Sequence, residues 1–171
     1  MVETVKYEVL REINKVEIRH YPKIILAKVE GSEADPFSLL YKFITGENRQ
    51  KSKVKMTAPV VQQQIAMTSP VFSETGTMTF VMPAEYTLET TPEPLDNRVK
   101  IAEVPARLVA ALRFSGSWSE SHFEKETQEL LEDLAKAKIK TKGQVFTMLY
   151  NPPFIPGFLR RNEVAIEVEE Y

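Results

Sequence analysis

Val16-Glu17-Ile18-Arg19-His20-Tyr21-Pro22, followed by Ile24-Ile25-Leu26-Ala27-Lys28-Val29, returns later as Val99-Lys100-Ile101-Ala102-Glu103-Val104-Pro105, followed by Leu108-Val109-Ala110-Ala111-Leu112. The offset is 83 residues, from Pro22 to Pro105, and it also aligns Val16 with Val99 and Ile18 with Ile101. A repeat of this length decides topology before any single element does. Each copy reads as an alternating strand, a proline corner, an apolar strand and then a helix. Proline removes a ladder donor, so each corner ends its strand.

Working outward, the first helix is predicted from Asp35 to about Thr45. Asp35 can cap it, Pro36 suits its first turn, and Gly46 suits its left-handed exit. Phe37, Leu40, Tyr41 and Ile44 fall at the spacing of one apolar face. The second helix is predicted to start near Ser119 or Ser121 and to end near Ala137, with Phe123, Leu130, Leu131 and Leu134 as its stripe. Met78–Met82, Gln144–Tyr150 and Glu163–Glu169 read as strands. Pro83 to Arg98 reads as a surface crossover whose Tyr86, Leu88 and Leu95 still need burial. The expected fold is one α+β domain over residues 1–171, with halves of about 7–90 and 96–170. Its strand–helix–strand units form a distorted, mostly antiparallel β-barrel or curved sheet with two main helices outside. A groove where the halves meet is the expected ligand site.

Composition narrows the function. The chain has 171 residues, 22 Lys and Arg against 24 Asp and Glu, and no cysteine. Near-neutral, mixed charge gives no basic stripe for a phosphate backbone, so nucleic acid is not an expected partner. Lack of cysteine excludes disulfides, thiolate catalysis, Cys-ligated zinc, iron–sulfur clusters and haem attached through Cys. No run has the length and apolarity of a membrane span, and no secretory signal pattern stands at Met1–Tyr7. A soluble, cytoplasmic protein is expected. Phosphate loops, Gly-rich dinucleotide turns and Gly-x-Ser-x-Gly elbows are all missing from the sequence.

A second motif is written twice: Lys55-Met56-Thr57-Ala58-Pro59-Val60, then, eleven residues on, Ala66-Met67-Thr68-Ser69-Pro70-Val71. A third Met-Thr opens Met78-Thr79-Phe80-Val81-Met82-Pro83. Methionine adapts to irregular apolar surfaces, including those around flat ligands, and equally fills core gaps. Met56 and Met67 therefore read as pocket wall or as core. By its parity His20 lies on the face of Val16 and Ile18. It reads either as an axial nitrogen for haem iron or as a hydrogen-bonded histidine at a strand end. His122, in the first helical turn, reads as solvent-facing or capping. Lys42 is either a propionate partner or part of a solvated helix face. Arg160 and Arg161 either clamp an anion or anchor the last strand through an Arg–Glu network.

Taken together, these stretches, with Glu85-Tyr86, Pro92-Glu93-Pro94, Arg113-Phe114-Ser115-Gly116, Asn151-Pro152-Pro153 and Arg161-Asn162-Glu163, resemble the SOUL haem-binding family from about Tyr7 to Val168. The doubled Met-Thr-x-Pro-Val resembles its microbial and plant-like members. The resemblance implies a distorted barrel of two repeated halves, similar to the effector-binding domains of bacterial multidrug-responsive regulators. It implies non-covalent haem or other tetrapyrrole binding, as a buffer or carrier rather than an enzyme. It carries the axial-ligand role onto His20 and a propionate role onto Lys42, while Ile155 stands where the family has a basic residue; Arg160 or Arg161 is the candidate to compensate. The alternative is an effector-type module for hydrophobic small molecules without iron specificity, for which a buried carboxylate, with Glu103 as candidate, would be the mark. A haem-modifying enzyme ranks last, for want of an acid–base or nucleophile constellation.

Overall fold

In the computed structural model the described residues are 3–30, 35–64, 76–151 and 154–171. In chain order the strands are β1 (Glu3–Thr4), β2 (Glu8–Ile13), β3 (Val16–Tyr21), β4 (Ile24–Glu30), β5 (Thr57–Gln64), β6 (Gly76–Val81), β7 (Val99–Val104), β8 (Arg107–Phe114), β9 (Thr141–Leu149) and β10 (Asn162–Val168). Helix α1 (Pro36–Ile44) follows β4, and α2 (Glu120–Lys136) follows β8. The fold is α+β and almost wholly antiparallel; β1 alone pairs in parallel, on β5.

Two compact units form, and neither is a continuous stretch of chain. One takes in Met1–Val5 and Lys23–Pro105; the other takes in Lys6–Pro22 and Ala106–Tyr171. The first strand of each sequence repeat leaves its own hairpin. β3 pairs with β8, while β7 pairs with β4. The chain passes from one unit to the other at Pro22 and Pro105, the two aligned prolines. A residue without a backbone N–H cannot extend the ladder, so the strand must stop where the crossing begins.

In the first unit the sheet order is β5–β6–β4–β7. Helix α1 covers it, with Leu40, Phe43 and Ile44 buried against Ile25, Ala27 and Phe80. Asp35 caps α1 by accepting from the N–H of Phe37 (3.1 Å) and of Ser38 (3.4 Å). Gly46 exits with φ +121°, open to glycine at little cost. The buried stripe differs from the expected one. Phe43 is inside, whereas Phe37 and Tyr41 are 43% and 50% exposed. Both choices satisfy three-and-four spacing; the sheet lies on the Phe43 side, and 100° per residue turns Tyr41 away from it. Leu88 and Leu95 are exposed too, so the crossover buries Tyr86 only in part and leaves its leucines outside.

In the second unit the order is β2–β3–β8–β10–β9. Helix α2 begins at the cap Ser119 and buries Leu130 and Leu134 against Val16, Ile18, Leu112 and Val164. Leu131 is exposed, and the buried side chain beside the stripe is Asp133, which accepts from Asn14 Nδ2 at 3.3 Å. Gly116, at φ +117°, precedes α2; a Cβ there would sit 2.8 Å from His122 Cε1. The second Met-Thr-x-Pro-Val copy, Met67 included, lies outside the described residues.

This packing separates two leucines of equal propensity. Leu134→Ala should lower the urea-unfolding free energy by about 2–5 kcal/mol, the cost of a cavity in a closed core. Leu131→Ala, one turn back and exposed, should cost less than about 1 kcal/mol.

Candidate functional site

On the first unit, α1 and the Pro94–Val99 segment flank a cleft of about 280 Å³. Leu39, Phe43 and Leu95 give it apolar walls, and Lys42 stands at its edge. Leu95 is 64% exposed. Across the cleft Arg98 holds Asp96 through its backbone N–H (2.9 Å), Nε (3.0 Å) and Nη2 (2.7 Å). Those bonds, with a smaller contribution from the Lys42 charge, lower the Asp96 carboxyl to about 2. Lys42 itself forms no ion pair among the described residues. Beside it on α1, the exposed rings of Phe37 and Tyr41 stack at 6.0 Å and 12°. Phe37 is steadied edge-on by Phe80 at 5.4 Å. Met56 packs half-buried against the core of this unit. Glu103 is exposed and lies 4.0 Å from Lys23, so the buried carboxylate considered at that position is not there.

His20 belongs to the second unit. It keeps the parity of Val16 and Ile18, yet it is exposed where they are fully buried. The apolar face expected for it ends at Ile18. Its ring has no hydrogen-bond partner among the described residues. His122 is half-buried in the first turn of α2, with Nδ1 3.1 Å from the Ser117 carbonyl and its ring 4.8 Å from Phe114.

The opposite face of the same strands carries a charge network that the alternating pattern hid. Arg19 is 1% exposed and Glu163 is 0% exposed. Arg19 Nη1 donates to Glu163 Oε1 at 2.9 Å, and Nη2 donates to Oε2 of the same carboxylate. Nη1 also donates to the Tyr21 hydroxyl (2.9 Å), and Nε to Glu17 Oε2 (2.8 Å). The guanidinium carbon lies 4.1 Å from the Tyr7 ring centroid. Arg161 adds a second cation: Nη2 donates to Tyr7 Oη at 2.8 Å and stands 3.5 Å from Glu163, while its guanidinium covers the Tyr150 ring at 4.0 Å. Burial alone would raise Glu163, but the Arg19 bonds and charge, with Arg161, outweigh it and hold the carboxyl below its usual range. Burial pushes the Tyr21 and Tyr150 hydroxyls up.

Lys42 and Met56 belong to the first unit, and His20, Arg160 and Arg161 to the second. Within the second, His20 and Arg161 serve opposite faces of the sheet. Arg161 is committed to Glu163, Tyr7 and Tyr150, which is the anchoring role. Arg160 donates through Nε to the Ile155 carbonyl (2.9 Å) and lies over Trp118 at 4.3 Å. It braces a loop from which Phe154 and Phe158 project into solvent.

The fold is α+β in two compact units. It resembles the C-terminal domain of EcmrR with a TM-score of 0.62, at 9% identity over 96% of this chain and 99% of that one. It resembles a hydrolase from Listeria innocua with a TM-score of 0.62, at 13% identity over 91% and 92%. At such identities the likeness is one of fold. The sequence decides the family: the pattern described as "SOUL heme-binding protein" matches residues 2–167, and this chain belongs to the SOUL haem-binding family. It is similar to human Heme-binding protein 2, 32% identical over 161 residues, 86% of this chain and 75% of that protein. No described helix is long and apolar enough to cross a membrane.

Glu163 has a lower pKa folded than unfolded. The unfolded chain therefore binds more protons across that window. The stability contributed is present above the unfolded value of about 4.3 and is lost as pH falls through the folded one. Glu163→Gln leaves a buried guanidinium without its counter-charge and should cost about 3–5 kcal/mol at pH 7. Urea midpoints measured from neutral to acid pH should fall less steeply in the variant than in the parent.

Proposed function

We propose that this chain binds haem or a related tetrapyrrole non-covalently, as a cytoplasmic carrier or buffer and not as an enzyme. The observation that carries this reading is family membership along residues 2–167, with a human relative named for haem. The chemistry left uncommitted by the fold supports it. The stacked Phe37 and Tyr41 rings offer a flat apolar surface to a macrocycle, adjoining an ammonium suited to a propionate at Lys42. On the second unit, and taken by itself, His20 is an exposed imidazole with no hydrogen-bond partner among the described residues, which suits it to iron, and a single axial histidine suffices in haem proteins.

The non-enzymatic part rests on the second unit's polar groups. Glu163 is the natural candidate for a general base, but its charge is held by two arginines and its pKa is lowered. A base works best near the operating pH. Tyr21 and Tyr150 are shifted upward, away from proton transfer at neutrality.

Haemin titration should move the Soret band and saturate near one equivalent. Lys42→Ala should weaken binding about 2–5-fold, with the loss shrinking at high salt, because a single exposed ion pair is worth up to about 1 kcal/mol. Phe37→Ser should weaken it by a similar factor without that salt dependence. His20→Ala should shift the band of the complex. A band unchanged by His20→Ala removes His20 from the account, and no band in the parent protein removes haem.

A further inference from the structure

The surroundings of Glu163 are those of a receptor for a planar cation. Its two oxygens receive a guanidinium edge-on, in the bidentate manner that suits this shape. A tyrosine hydroxyl takes a further N–H, and the face of Tyr7 lies 4.1 Å beneath the guanidinium carbon. A cation over an aromatic face, away from water, is held by the ring quadrupole as well as by the carboxylate. The register leaves room for it. Ala111 faces Glu17 across β3–β8, Ala165 faces Ala111 across β8–β10, and both are fully buried. Two alanines on this face give the head group space that larger side chains would fill.

We propose that this is a cation cage which the chain occupies with its own side chain. Arg19 is the tethered occupant, and through it the second unit is closed to external guanidinium and alkylammonium ligands. Every nitrogen of that guanidinium already has an acceptor: Glu17 for Nε, Tyr21 and Glu163 for Nη1, Glu163 for Nη2. A buried ion pair of this kind adds little net stability over apolar packing. Its effect on ligand choice is larger, because it removes from a buried carboxylate the vacancy a cation would enter. The inference is independent of the tetrapyrrole reading.

Emptying the cage tests it. Arg19→Ala should melt at a higher temperature in low-millimolar methylguanidinium chloride than in equal sodium chloride. The rise should grow with the logarithm of concentration and reach about 2–4 °C, the linkage expected of a weak specific ligand on a chain of this size. The parent protein should show no difference between the two salts, and Arg19→Ala/Glu163→Gln should lose the response. If Arg19→Ala does not fold alone, refolding yield in methylguanidinium over sodium chloride gives the same reading, with recovery supporting the cage and none overturning it. Equal behaviour of Arg19→Ala in both salts, or a response that survives Glu163→Gln, overturns the proposal.

Discussion

The pair Arg19–Glu163 joins residues 144 apart in the chain and determines which strands belong together. The repeat makes this necessary. β3 and β7 are equivalent strands, and so are β4 and β8, so β3 has two similar partners on offer. In the observed pairing Arg19 lies opposite Val109 and reaches Glu163. In the equivalent pairing of the first unit, the position of Arg19 is Ala102, opposite Leu26. There the place of Glu163, which pairs with Arg113, is held by Thr77, which pairs with Glu30. Were β3 to sit on β4 in that register, the guanidinium would be buried beside a threonine. An unpaired buried charge costs several kcal/mol, so the wrong exchange is disfavoured far more than the right one is favoured.

Much of the fold was legible because local chemistry is local. Asp35 and Ser119 cap helices where cap residues stand, Pro22 and Pro105 end strands, and Gly46 leaves α1 in a left-handed turn. What periodicity does not carry is the identity of the neighbour. The repeat gives strand, corner and strand, and a hairpin is the default reading of that order. The exchange between β3 and β7 is written only in the long-range match of a buried charge with its counter-charge. The same gap explains α1. Leu40 and Ile44 belong to either stripe, and only the position of the sheet chooses Phe43 over Tyr41. β2 was missed because its alternation is mostly polar and its side chains are largely exposed.

The candidate site was legible in part for a related reason. Parity assigned His20 to the right face of β3, but parity says nothing about how far the covering helix extends. Arg19 alternates with Val16 and Ile18 in the sequence, and no neighbour in sequence marks it as buried. Arg161 read either as an anion clamp or as an anchor of the last strand through an Arg–Glu network, and the structure gives it Glu163 and two tyrosines as neighbours. Lys42 read equally as solvated or functional; its place beside an apolar cleft and two exposed rings is a three-dimensional fact.

A fold shared with proteins of other descriptions leaves function to the side chains. In this chain those divide by commitment. Among the described residues, Arg19, Arg161, Glu163, Tyr7 and Tyr21 neutralise one another, and the desolvated carboxylate has no capacity left for a substrate. His20, Lys42 and the Phe37–Tyr41 stack have capacity left. On the first unit that capacity is one positive charge beside flat apolar area, and on the second it is an exposed imidazole. A hydrolytic substrate would ask for the opposite distribution: a free base at the reacting atom, with the apolar area serving only to position it.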